Sequence, residues 1–230
     1  MVSISVLGAV VIVAGCGDRG NAPLLRAFSA LAVFQYEQAF EAERPSRPML
    51  TRAQANAVPG ALILVKLEGG GRADPMVAVA ANGTRVTYAN AARQQVTLDG
   101  AQIVRTGGLG STISNYASER PTDAVVSPMP VAEWTDTTRR IYTFRDAFND
   151  EFVRAALCRR TSLVAETIEI VEVTYDLIRI DETCRTPFHT FENVYWVQSD
   201  TGQIWKTVQW TGPEAPRLEV SVVTPFGPAR

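Results

Sequence analysis

The sequence predicts a mainly β chain, an antiparallel β-barrel or sandwich-like sheet with a short N-terminal helical segment. Three observations predict it. Asn82-Gly83 and Asp99-Gly100, two-residue signals for tight hairpin turns, each sit between short alternating runs. Other short β-branched runs recur at even spacing, with no longer internal repeat that would indicate a solenoid or propeller. Finally, Asn193 to Trp210 (NVYWVQSDTGQIWKTVQW) puts aromatic and β-branched residues on both sides of a Ser199-Asp200-Thr201-Gly202 connection, the local signature of a hairpin.

The chain opens with an apolar run, Val2 to Gly15, that ends at Cys16. A span across a bilayer needs about 20 residues, so this run is too short for one and fits the core of a secretory signal. Val13-Ala14-Gly15-Cys16 has the form of a bacterial lipobox: an aliphatic residue and two small ones precede a cysteine whose thiol takes the lipid. Polar Gly17 to Asn21 follows at once, although no Lys or Arg precedes the apolar run. Residues 1–15 are therefore expected to be a signal peptide and Cys16 the lipidation site. Acyl chains such as palmitate then anchor the chain with no transmembrane helix. Gly17, rather than Asp, resembles the lipoproteins sent on to the outer membrane, which places the body on its periplasmic face.

Residues 16–48 read as a tether and helix. Leu24, Phe28, Leu31 and Gln35 form one stripe of Pro23 to Glu43, with Pro45 and Pro48 ending it. Two readings stand, a helix against the sheet or one on a membrane surface. The polar face lacks the Lys and Arg of interfacial helices, which favours the first. Residues 49–230 read as a single β-rich domain. Thr51 suits the N-cap of a short helix, Arg52 to Ala57, stopped by Pro59-Gly60.

Strands follow. Ala61–Leu67 is a compact apolar run, Met76–Ala80 and Thr84–Tyr88 flank the first hairpin turn, and Gln95–Leu98 and Gln102–Arg105 flank the second. A loop rich in Ser, Thr and Pro is expected to run to Pro130, with another strand at Arg140–Phe144. Asp146 to Arg160 reads as helical or irregular. Across Leu163 to Ile180 the apolar phase slips from even to odd positions and back, which demands bulges or a tight turn near Thr174–Asp176. In the aromatic hairpin, alternation puts Tyr195 and Val197 on one face and Val194 and Trp196 on the other. It groups Ile204, Val208 and Trp210 opposite Trp205. Leu218–Val223 closes the chain.

Composition excludes several functions. With 22 basic and 24 acidic residues and no basic block, nucleic acid is not an expected partner. One histidine, His189, supplies neither a zinc site nor an evident catalytic base. No Gly-x-Ser-x-Gly elbow exists. Gly107-Gly108-Leu109-Gly110-Ser111 lacks the Lys and the helix of a phosphate loop and reads as a turn. Glu166, Glu169 and Glu172 alternate with apolar residues as a solvated strand face does. No enzyme activity, metal or cofactor is expected. With Cys16 acylated, Cys158 and Cys184 remain, either as a disulfide in an oxidising compartment or as two unpaired buried thiols. Among the aromatics, Tyr195 and Trp210 read as core. Trp196 and Trp205 are the candidate ligand contacts, since sugar rings stack on aromatic planes.

The lipobox, Leu50-Thr51, Gly108-Leu109-Gly110 and above all Asn193-x-Tyr195-Trp196-Val197 with Gly202-x-Ile204 resemble the GfcB/YjbF lipoproteins of group 4 capsule and exopolysaccharide operons. The resemblance runs from about Leu50 to the C-terminus and is strongest over the hairpin. It implies a mainly β, outer-membrane-anchored periplasmic protein that works beside polysaccharide secretion machinery, and it carries over no catalytic residue. The expected function is a non-enzymatic accessory in capsule or exopolysaccharide export or assembly. The alternatives are a polysaccharide-binding module using exposed aromatics and a scaffold for an outer-membrane export partner.

Overall fold

A computed structural model describes residues 50–110, 113–118, 122–145, 148–213 and 215–227. The expectations for the signal segment, Cys16 and the Pro23–Glu43 helix lie outside these residues.

Among the described residues, a short helix α1 (Arg52–Ala57) precedes twelve strands: β1 (Leu62–Leu67), β2 (Asp74–Asn82), β3 (Arg85–Ala89), β4 (Gln95–Asp99), β5 (Gln102–Gly107), β6 (Ile113–Ser118), β7 (Thr137–Arg145), β8 (Glu151–Ile170), β9 (Val173–Arg185), β10 (Thr190–Val197), β11 (Ile204–Gln209) and β12 (Leu218–Thr224). They form one sheet in the order β5-β4-β3-β2-β1-β12-β11-β10-β9-β8-β7-β6, with every neighbouring pair antiparallel. Strands consecutive in the chain are neighbours in the sheet, except β5 and β6, which stand at its two ends, and β1 pairs with β12 to join the two halves. The sheet curls until its edge strands β5 and β6 lie side by side, which makes a nearly closed barrel. Arg85 of β3 reaches over that seam and donates to Asn115 Oδ1 and the Tyr116 carbonyl of β6, both at 3.3 Å.

The barrel interior holds the main core, which includes Ile63, Met76, Val96, Ile103, Tyr142, Phe144 and Trp210. Trp210 stacks on Phe191 and meets Tyr142 and Phe144 edge-on. A second apolar layer lies outside the barrel. There α1 and the distal part of the β8–β9 hairpin cover Leu62, Val208 and Val223 with Ala55, Ile170 and Leu177.

Three expectations needed correction. The Ser/Thr/Pro-rich stretch contains strand β6, whose inward Ile113 and Tyr116 are separated by a register shift that disguises the alternation. The segment read as helical or irregular is largely extended, because β8 starts at Glu151 and continues for 20 residues. In the aromatic hairpin, a bulge opposite Trp196/Val197 breaks the phase of β11. Ile204 therefore packs inside with Tyr195 and Val197, while Val208 packs outside with Val194 and Trp196.

The phase slip between Leu163 and Ile180 has two physical sources. The turn lies at Val171-Glu172, both with positive φ (47° and 63°), rather than at the expected Thr174–Asp176. Beyond it the apolar residues change face, Tyr175 and Leu177 packing in the outer layer and Ile178 and Ile180 with Tyr195 inside. A β-branched residue at positive φ is strained. Arg52 holds the turn in place: its guanidinium donates to the carbonyls of Ile170 (2.9 Å), Val171 (3.0 Å) and Val223 (3.2 Å), and its backbone N–H donates to Glu172 Oε2 (3.0 Å). Thr51 caps the helix that presents Arg52, through a reciprocal pair of bonds with Gln54. Arg52→Ala is expected to cost about 2 kcal/mol, as charged donors lost from half-buried carbonyls do. Hydrogen exchange should then accelerate at residues 168–175 while amides around Tyr142 keep their protection.

Candidate functional site

The densest polar chemistry lies inside the barrel around Arg140, which is only 1% exposed. On β7, Arg140 alternates in phase with Tyr142 and Phe144, so its side chain enters the core with theirs. A guanidinium there must be fully hydrogen-bonded. Its Nε and Nη2 donate to the two carboxylate oxygens of Asp123, each at 3.1 Å. Nη1 donates to Glu182 Oε2 on β9 and to the Tyr195 hydroxyl oxygen on β10 (3.3 Å). The Tyr195 hydroxyl (3.4 Å) and Asn193 Nδ2 (3.3 Å) also donate to Glu182 Oε2. Asn193 Oδ1 in turn accepts from the Trp210 N–H. Asp123 further accepts from the Tyr116 hydroxyl and the Val125 N–H.

The electrostatics follow from this geometry. Burial alone pushes the Asp123 carboxyl up, but the Arg140 charge and the bonds from Arg140, Tyr116 and Val125 outweigh it and hold the group below the ordinary carboxylate range. Arg140 is held well above its usual value, because the Glu182 and Asp123 charges overcome the cost of its burial. Desolvation drives Tyr116, Tyr142 and Tyr195 upward, so these phenols stay protonated, and Tyr116 and Tyr195 donate to Asp123 and Glu182. The gap above this cluster is about 10 Å³, room for about one water. The arrangement fixes Asp123 to the wall of the barrel.

Asp123 belongs to a loop, residues 122–134, that lies across one end of the barrel. The Ala101 N–H donates to the Val125 carbonyl (2.9 Å), and the Val131 N–H donates to the Ser199 carbonyl (2.8 Å). Trp134 Nε1 donates to the Met129 carbonyl and its ring meets Tyr195 edge-on. Two turn glycines let the loop approach. A Cβ on Gly100 would lie 2.6 Å from the Val125 oxygen, and one on Gly202 only 2.1 Å from the Met129 oxygen. Beside the loop is a cavity of about 220 Å³, lined chiefly by aliphatic residues such as Val86, Leu98, Val220 and Val222, together with Tyr88 and Thr207. Desolvation raises the Tyr88 phenol to about 12.

The residues singled out in the sequence do not converge on one site. Cys158 and Cys184 face each other across β8 and β9, fully buried and joined by a disulfide of 2.03 Å beside Asn193. Trp196 is on the outside of the barrel but is 8% exposed, under Leu177 and Val208, with the Arg179 and Lys206 cations over its ring. Its expected role as an exposed stacking platform is thereby corrected, since the β8–β9 hairpin shuts it in. Trp205 is half-buried, one ring face against Tyr175 at 4.6 Å. His189 is an exposed residue in the β9–β10 turn, where its backbone bonds Thr186. Gly108 and Gly110 adopt positive φ in the turn after β5, as a strand connection requires.

The sequence reading missed Arg140, Glu182 and Asn193. A signal for them existed: each charged or amide side chain sits in the core phase of its strand, in step with Tyr142, Cys184 and Tyr195 respectively.

A family model described as group 4 capsule polysaccharide lipoprotein gfcB, YjbF, matches residues 29–223. No curated protein matches the sequence. Among solved structures, the hypothetical lipoprotein YmcC from Escherichia coli (K12) is similar with a TM-score of 0.65 at 15% identity, covering 80% of this chain and 100% of that one. At that identity the likeness concerns the fold.

Proposed function

We propose a function from one premise: the chain belongs to the YjbF family of group 4 capsule polysaccharide lipoproteins. A lipoprotein family implies anchoring to a membrane of the cell envelope. The finer reading is a non-enzymatic accessory in capsule or exopolysaccharide export or assembly, tethered through an acylated Cys16 to the periplasmic face of the outer membrane. The family match over residues 29–223 carries this reading. The interior supports it: Arg140, Asp123, Glu182 and Tyr195 bind one another, which suits a rigid scaffold better than a site of turnover.

Deleting the gene and quantifying surface polysaccharide tests the proposal. A fall in the amount, or a change in chain length, is expected. Unchanged amount and chain length would overturn it.

A further inference from the structure

The outward face of β7–β9 differs in chemistry from the rest of the molecule. Strand register places Ala117, Ile141 and Ala155 in one cross-strand row, Arg139, Leu157 and Arg185 in the next, and Thr143 beside Val153. Leu157 is 58% and Val153 57% exposed. Arg139, Arg159 and Arg185 are exposed around Leu157, and none pairs with a described carboxylate. The acids bordering the face are Asp150 and Glu151 at the β7–β8 turn, the latter paired with Arg145, and Glu192, two strands from Arg159 in its cross-strand row. At the same end of the barrel, the β7–β8 and β9–β10 turns carry Phe148, 87% exposed, and Phe188, 71% exposed. The Arg154 guanidinium stands 5.2 Å from the Phe188 ring centre.

The charges are sorted along the β8–β9 hairpin. Its distal half carries Glu166, Glu169, Glu172 and Asp176, whereas its base carries the arginines. A chain with a net charge of -2 thus keeps a positive, partly apolar region at one end and an acidic region at the other. Arginines beside exposed aliphatics and aromatic turn tips match an interface in which headgroup phosphates meet the guanidinium groups and the rings enter the acyl boundary.

We propose that this face, with the Phe148 and Phe188 tips, is a docking surface for an anionic lipid bilayer. Its action is separate from the covalent anchor: the acyl group holds the chain at the membrane, and this face orients the barrel there with the acidic hairpin tip pointing away.

The test uses the chain from Gly17 to Arg230, which has no acyl group, sedimented with phosphatidylcholine vesicles with or without phosphatidylglycerol. Binding only to the anionic vesicles, weakened by salt, is expected. Arg139→Gln/Arg159→Gln/Arg185→Gln should weaken it about a hundredfold, from the attraction each cation loses. Phe148→Ser/Phe188→Ser should weaken it by about tenfold through lost apolar burial. Unaltered thermal midpoints would establish that both variants keep the fold. Absence of binding to anionic vesicles, or equal binding by the arginine variant, would overturn the proposal. So would binding to a soluble anionic polysaccharide with the vesicles left untouched, since the face would then be a polymer site.

Discussion

Replacing Arg140 with Leu is expected to destabilise the domain by about 3–5 kcal/mol, the cost of leaving buried partners without their counter-charge. For a chain of this size that corresponds to a fall of about 10–15 °C in thermal midpoint. The substitution keeps apolar volume but leaves Asp123 and Glu182 enclosed with no cation. Its pH dependence identifies the cause. In the native protein, Asp123 titrates below its ordinary value of 3.8. The stability it contributes is therefore full at neutral pH and is lost only as the pH falls through that depressed value. In Arg140→Leu the cation is gone, burial acts against the charged form, and the carboxyl is pushed up instead. The variant then gains stability relative to the native protein as the pH is lowered from neutral, because protonation removes the uncompensated charge. Chemical denaturation of both proteins across the acid range checks this. A gap that stays constant with pH would show that lost packing, and not the buried charge, explains the loss.

Gly202→Ala should destabilise by about 2–4 kcal/mol, from two effects that act together. Gly202 has φ +72°, where a side chain is strained, and its Cβ would lie 2.1 Å from the Met129 oxygen and 2.4 Å from the Met129 nitrogen. Gly83→Ala is the control. Gly83 has φ +60° but nothing within 4 Å, so only the backbone effect applies, about 1 kcal/mol. The difference between the two measures how tightly the 122–134 loop is pressed on the barrel end. Fluorescence of Trp134, whose indole N–H is bound to the Met129 carbonyl, should shift to the red in Gly202→Ala and stay unchanged in Gly83→Ala. Equal stability losses in both variants would show that the loop yields at no cost.

How much of this was legible in the sequence depended on whether local chemistry or distant packing decided each feature. Hairpins closed by Asn82-Gly83 and Asp99-Gly100 were readable because the turn residues satisfy their own backbone geometry. The capped helix at Thr51 was readable for the same reason. The turn at Val171-Glu172 was not, since neither residue suits positive φ and the conformation is held by Arg52, more than 100 positions away. Trp196 was misread as exposed because its cover comes from the β8–β9 hairpin, which no property of the local sequence announces. The importance of Gly202 was read as a turn preference; its contact with Met129 depends on a loop that returns from elsewhere in the chain. Arg140 was passed over because an arginine within a strand ordinarily belongs to the solvated face, as Arg139 does, and only its phase with Tyr142 and Phe144 argued otherwise.

The proposed accessory role is that of a rigid, lipid-anchored body of this family acting from its outer surfaces at a membrane. Surface polysaccharide in the deletion strain, complemented with the native gene or with Cys16→Ser at equal protein level, tests this most directly. Restoration by the native gene and failure of Cys16→Ser is the predicted result. Normal polymer in the uncomplemented strain, or full restoration by Cys16→Ser, would contradict it.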